Sequence, residues 1–226
     1  MHTHYQWDFG VILQYHQLLI DAVLMTVRVV IVSVILGIAI GLMLAPLRMA
    51  ERAMLRLAAM SVINVVRAVP PLVLVVWTYY CLPILSGISM SSYWTTVLAL
   101  SLYSGAFFAE IFRAGLQSVD AGLIEAGRSV GMTPWAILRR ITGPLAFLRV
   151  LPPFTSQCIM AVKNSVLGSY IAVGEVLYEG QRLSTATFRP LEILTCVALF
   201  FVVTILPLTV MTGMLERRIL GRYFKR

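Results

Sequence analysis

The chain is 226 residues long, with 59% hydrophobic and only 12% charged residues and a mean hydropathy of +0.87. This balance excludes an ordinary soluble domain, in which about a quarter of the residues are charged. The net charge of +8, judged by where the basic residues fall, reflects membrane topology and contact with anionic headgroups, not nucleic-acid binding.

Five stretches are apolar enough to cross a bilayer, which takes roughly 20 residues: about 22–45, 57–82, 93–112, 145–163 and 191–213. One all-α transmembrane domain over 1–226, a polytopic helical bundle of about five spans, is expected. The first 20 residues hold no Lys or Arg and no clean apolar run. A short polar or interfacial tail is expected there, not a cleavable signal, with His2, His4 and His16 as solvated side chains. Arg28, a turn or two into the first span, is expected to snorkel to the outer interface.

In the second span Arg67 stands roughly 15 Å deep at helical rise. It precedes Pro70-Pro71, a pair that bends a helix where it faces protein or a wet cavity. Glu110, near the end of the third span, reaches a similar depth because the two spans run in opposite directions. Three arrangements fit: an Arg67–Glu110 ion pair, a Glu110–Arg113 pair one turn apart, or an Arg67 that lines a path and meets a substrate carboxylate. Tyr79, Tyr80, Tyr93 and Trp94 read as interface-belt aromatics. Cys81, Cys158 and Cys196 read as packing thiols without metal-ligand spacing.

The long polar loop, about 114–144, carries the most pattern. Asp120 is a good N-cap for a helix over 121–130, and Gly131 suits the left-handed residue that ends one. Thr133-Pro134 repeats the start signal with a hydroxyl cap and a first-turn proline. Leu123, Ala126, Gly127 and Val130 share one face with a small-residue dimple, and Glu125 and Arg128 are spaced to brace each other. Such a helix–turn–helix either lies on lipid headgroups or docks a protein from the aqueous phase.

The run Glu125-Ala126-Gly127, then Gly131, then Ile141-Thr142-Gly143-Pro144 resembles the EAA loop of ABC importer permeases. It departs with Gly127 where alanine is usual and Gly143 where leucine is usual. Glu110-Ile111-Phe112-Arg113-Ala114-Gly115, Asn64-Val65-Val66-Arg67-Ala68-Val69-Pro70, Lys163-Asn164-Ser165, Gly174-Glu175 and Thr187-Phe188-Arg189-Pro190 look like other landmarks of the family's polar amino-acid branch, in the right order. The resemblance implies a MetI-like fold of type I importers. It also implies a dimer with a second copy or a sister permease, a cytoplasmic ABC ATPase dimer that uses ATP and Mg, and a periplasmic or extracellular solute-binding protein. Asp120, Leu123, Glu125, Ala126, Gly127, Gly131 and Pro134 are then the residues that couple to the ATPase. Asn64, Arg67, Glu110, Lys163 and Asn164 are candidates for the substrate pathway. The Asn64 and Lys163 motifs look most like glutamate/aspartate members, and an excess of intramembrane cations is compatible with an acidic substrate.

Lys163 is expected either to pair with Glu192 or to attract an anionic or zwitterionic solute. The mixed segment 166–190 is expected to form an interfacial or re-entrant hairpin over the outer mouth, with Glu175, Glu179, Gln181 and Arg182 at its aqueous edge. Most of the 18 basic residues fall after the first span, around the long loop and at the C-terminus. The positive-inside rule then predicts the loop and C-terminus in the cytoplasm and the N-terminus outside, and the resemblance implies that the membrane is a bacterial cytoplasmic one. The only lysines, Lys163 and Lys225, do not follow glycine, so no phosphate-binding P-loop exists and the chain is not the ATPase. No cofactor or metal is expected in it. An ion-coupled carrier or channel is the alternative, and a mere membrane anchor is disfavoured by the buried charges.

Overall fold

The computed structural model describes residues 5–223. His2, His4, Lys225 and Arg226 lie outside them, as does the side chain of Arg222. The described residues form helices joined by short turns. A one-turn helix α1 (Gly10–Gln14) leads into α2 (His16–Arg48), which begins six residues before the expected span. Arg28 is therefore twelve residues into α2, roughly 18 Å along it at helical rise, and its side chain is exposed.

The second span is broken. α3 (Ala53–Ala68) and α4 (Pro71–Ser86) meet at Val69-Pro70 with a bend of 103°. Proline disfavours helical geometry in the residue before it and removes a backbone donor, and two in succession uncouple the halves. Each half is roughly 24 Å long by helical rise, too short to cross alone. Four other helices are long and apolar enough to cross a membrane, five if the bent pair counts as one.

Packing settles the count. α2 and α5 (Ser92–Gln117) lie side by side along a seam of small residues. A Cβ on Gly37 would stand 3.1 Å from Ser104 Cβ, and one on Gly41 2.6 Å from Phe108 Cβ. Later residues of α2 meet later residues of α5, so the two helices are parallel. The chain must therefore return to its starting end between them, and the broken pair makes that pass. Small residues let apolar helices approach this closely where a bilayer supplies no hydrophobic drive between them.

α8 (Gly143–Asn164) runs antiparallel to α5, with Phe154 5.2 Å from Phe108 and Gly115 set against Ala146 and Val150. α10 (Pro190–Tyr223) runs antiparallel to α8, with Thr155 donating to Glu216 at 2.6 Å. The starts of α2 and α10 pack together through Ala22 and Val197. Five passes result, and the two termini leave the bundle at opposite ends.

The segment after α8 is helical. A 3₁₀ turn (Ser165–Ile171) and α9 (Val176–Thr187) fold back on α2 and α10. Glu175 and Glu179, expected at an aqueous edge, are buried, whereas Gln181 and Arg182 are exposed. Glu175 caps α9 by accepting from the amides of Leu177 and Tyr178 at 2.9 and 2.8 Å. Thr26 of α2 accepts from Val176 N at 3.2 Å and ties α9 down. The aromatics split by side: Tyr79 and Tyr93 pack on the core, while Tyr80 and Trp94 point outward.

Candidate functional site

The loop sits at the end of the bundle where α5 finishes and α8 starts. The Asp120 carboxylate accepts from Gly122 N and opens α6 (Ala121–Ser129). Gly131, at φ +79°, closes it: its N–H donates to Arg128 O at 2.9 Å, and Met132 N donates to Gly127 O at 3.0 Å, the paired bonds of a glycine-terminated helix. Thr133 accepts from Ala136 N at 3.3 Å, and Pro134 occupies the first turn of α7 (Pro134–Ile137).

Three expectations need correction. α7 is not a free-standing second helix: a π turn (Leu138–Thr142) joins it to α8, so helix runs unbroken from Pro134 to Ile171. Only Ser118–Thr133 is a true excursion. Gly143 sits where the wider turn brings Leu138 O within 2.7 Å of any added Cβ, so the usual leucine would crowd this backbone. Gly127 is not part of an outward dimple. It is buried against Ile137 and Ile141, while Leu123, Ala126 and Val130 remain exposed. Glu125 and Arg128 form no ion pair among the described residues. Trp135, 69% exposed beside this face, was not singled out in the sequence; an indole in a polar loop was the available signal.

A second site lies in the groove between α3, α5 and α8. A cavity of about 310 Å³ is lined by Arg67, Phe107, Glu110, Gly115, Ser118 and Arg149, among others. Arg67 and Glu110 thus share one space, but they are not paired. Arg113 takes Glu110, with its Nε 3.0 Å from Oε1 and a terminal nitrogen on the same oxygen. The Arg67 guanidinium instead lies 4.9 Å from the centroid of the Phe107 ring, a cation–π contact. Asn64 is exposed one turn earlier on α3. Arg149 donates to the Ser118 carbonyl; in the sequence it stood out only as a topology charge.

Lys163 and Asn164 lie at the far end of α8 and do not join this cavity. Lys163 is exposed and makes no ion pair with Glu192. Glu192 is fully buried and already engaged: it accepts from Tyr5 OH, from Asp8 N at 3.0 Å and from Arg189 at 3.0 Å. The hydrogen bond to Glu192 holds the Tyr5 phenol above its usual range. These contacts latch the N-terminal segment to the start of α10.

Comparison with known proteins agrees with this geometry. The chain is 32% identical over 214 residues to the glutamine transport system permease protein of Escherichia coli (strain K12), covering 94% of this chain and 98% of that one. It is 28% identical to the arginine transport system permease protein of Bacillus subtilis (strain 168), covering 94% and 97%. Among solved structures, an amino acid ABC transporter crystallised with histidines superposes with a TM-score of 0.87 at 30% identity, covering 95% of this chain and all of that one. The methionine ABC transporter MetNI, at 22% identity, 91% and 98% coverage and a TM-score of 0.76, shares the fold. Residues 37–221 match the family described as binding-protein-dependent transport system inner membrane component, and the chain, an all-α membrane permease subunit of an amino-acid ABC importer, belongs to that family.

Proposed function

We propose that this permease subunit carries polar amino acids inward, with glutamate and aspartate first among them, driven by a separate cytoplasmic ATPase dimer that docks on α6 and α7. The observation that carries this reading is the loop itself. Asp120 and Thr133 cap its two helices and Gly131 closes the first, and Gly127 packs it against Ile137. Leu123, Val130 and Trp135 are nonetheless exposed beyond the last turn of α5. Apolar side chains held rigidly at the polar end of a bundle suit a protein socket. Asp120, Gly131 and Pro134 set the shape of the plug; Leu123, Glu125 and Ala126 form its face.

The basic residues at this end, among them Arg48, Arg128, Arg139 and Arg140, support a cytoplasmic position for it and an outer position for the latch of Tyr5 and Glu192. ATP and Mg are used by the partner, not by this chain. A second permease copy or a sister subunit completes the pathway, and a solute-binding protein delivers the cargo at the outer end. Arg67 and Lys163, each without a carboxylate partner among the described residues, favour an anionic substrate. The relatives named for glutamine and arginine transport support polar amino acids of other charge as the alternative cargo.

Purification with the candidate ATPase tests the reading. Co-elution, together with ATP hydrolysis stimulated by a loaded binding protein, is the expected result. Competition among glutamate, aspartate, glutamine and arginine then identifies the cargo. Vesicles that concentrate solute with this chain alone would overturn the reading, since the family's energy comes from the partner.

A further inference from the structure

We propose that the apolar groove between α2, α5 and α8 seats one acyl chain of an anionic phospholipid, whose phosphate is held by Arg139 and Arg140 at the loop end. The groove encloses about 380 Å³, and every residue that lines it is apolar, among them Leu42, Phe112, Leu116, Phe147 and Phe154. It offers a polar solute no partner and shares no lining residue with the cavity of Arg67. Leu42 and Phe147, its outer walls, are 58% and 62% exposed, so the groove opens sideways from the bundle. Phe112 and Phe154, with ring centroids 6.3 Å apart, close its deep end.

Length and charge identify the occupant. Gly143 and Phe154, at the two ends of the groove on α8, stand roughly 16 Å apart at helical rise. That is about half of a hydrocarbon core of about 30 Å, the depth of one leaflet. Arg139, Gly143, Phe147 and Leu151 recur at every fourth position of continuous helix, a spacing that shares a face. Arg139 therefore prolongs the groove toward the aqueous phase, with Arg140 beside it. Both side chains are exposed and in no ion pair among the described residues. Guanidinium suits two-point binding of phosphate, and a basic pocket between membrane helices matches an anionic headgroup. A chain so seated touches α2, α5 and α8 together, at the base from which the loop projects.

Native mass spectrometry of the full-length chain tests the site, in micelles holding equal amounts of phosphatidylglycerol and phosphatidylcholine with identical acyl chains. The wild type is expected to retain phosphatidylglycerol about tenfold over phosphatidylcholine. Arg139→Gln with Arg140→Gln should remove that preference. Arg52→Gln with Arg56→Gln takes two cations from the start of α3, which has no residue in the groove, and should leave the preference unchanged. Leu42→Trp fills the groove at its outer wall and Phe147→Ala removes the facing wall. Each should reduce retention of both lipids severalfold while the unfolding temperature without added lipid stays constant. Equal retention of the two lipids by the wild type, the same loss in both arginine pairs, or retention untouched by Leu42→Trp and Phe147→Ala overturns the proposal. In the last case, a shift from dimer to monomer in those two variants would give the groove to a second copy of the chain.

Discussion

Gly127 and Ile137 hold the loop closed on itself: a Cβ at Gly127 would stand 3.2 Å from Ile137 Cγ1 and 3.0 Å from Ile141 Cδ1. Gly127→Ala needs a shift of a few tenths of an ångström by flexible side-chain ends and should keep most ATPase stimulation. Gly127→Val forces the two short helices apart, at about 1–3 kcal/mol for overpacking. Stimulated hydrolysis in the reconstituted complex should fall severalfold while the amount of membrane-inserted chain stays constant. Equal coupling in both variants would show that the closed loop is not the docking form.

Gly131 has a different reason for its size. Nothing stands within 4 Å of an added Cβ there, but the backbone is left-handed at φ +79°. Substitution by alanine costs roughly 1–2 kcal/mol in backbone strain alone, and a β-branched residue more. Asparagine tolerates this conformation, so uptake should rank Gly131, then Asn, then Ala, then Val. A ranking by side-chain volume, with Asn below Ala, would point to a steric contact with the ATPase instead.

At the opposite end, the buried carboxylate of Glu192 sets a strong asymmetry between its partners. Arg189→Ala takes the counter-charge from a carboxylate that keeps its bonds from Tyr5 OH and Asp8 N. It should lower stability more than Tyr5→Phe, which removes one hydrogen bond and leaves the ion pair in place. Thermal unfolding in detergent reads both, and a smaller drop for Arg189→Ala than for Tyr5→Phe would contradict the latch.

Burial pushes the Glu175 carboxyl up to about 7, against an ordinary value near 4.5. Because the folded state holds the proton more tightly, this group's contribution is fully present below pH 4.5. It is lost as pH rises through 7, at about 1.4 kcal/mol per unit of difference. Protection of the amides in the first turn of α9, taken as exchange rates divided by the base-catalysed intrinsic rates, should therefore fall between pH 5 and 8 in the wild type. Glu175→Gln, which cannot ionise, should flatten that dependence. An unchanged slope would place the titration elsewhere.

The apolar runs made the membrane class and the number of passes legible, because a bilayer admits few alternatives to a long helix. Asp120, Gly131 and Thr133-Pro134 made the loop legible, because caps are set by neighbours in sequence. Three features were beyond reach for one reason: each depends on what packs against the segment. Spacing puts Gly127 beside both Ala126 and Val130, and only the nearness of Ile137 and Ile141 turns it inward. Polar composition suggested an exposed Glu175, yet its partners are backbone amides inside the fold. Pro70-Pro71 announced a bend, but its 103° follows from how α3 and α4 seat on α5. Glu110 had two arginines within reach, and the one on its own helix, a turn away, took it.

The glycine seam between α2 and α5 has a mechanical consequence. With Gly41 pressed on Phe108, and Gly105 leaving no room for a Cβ beside Ile40, neither helix can slide or roll without its backbone striking the other. The two behave as a keel. The breaks in regular helix beside that keel are at Val69-Pro70 and in the turns that flank α6, so a change of shape in the subunit is expected to bend there before it shears the seam.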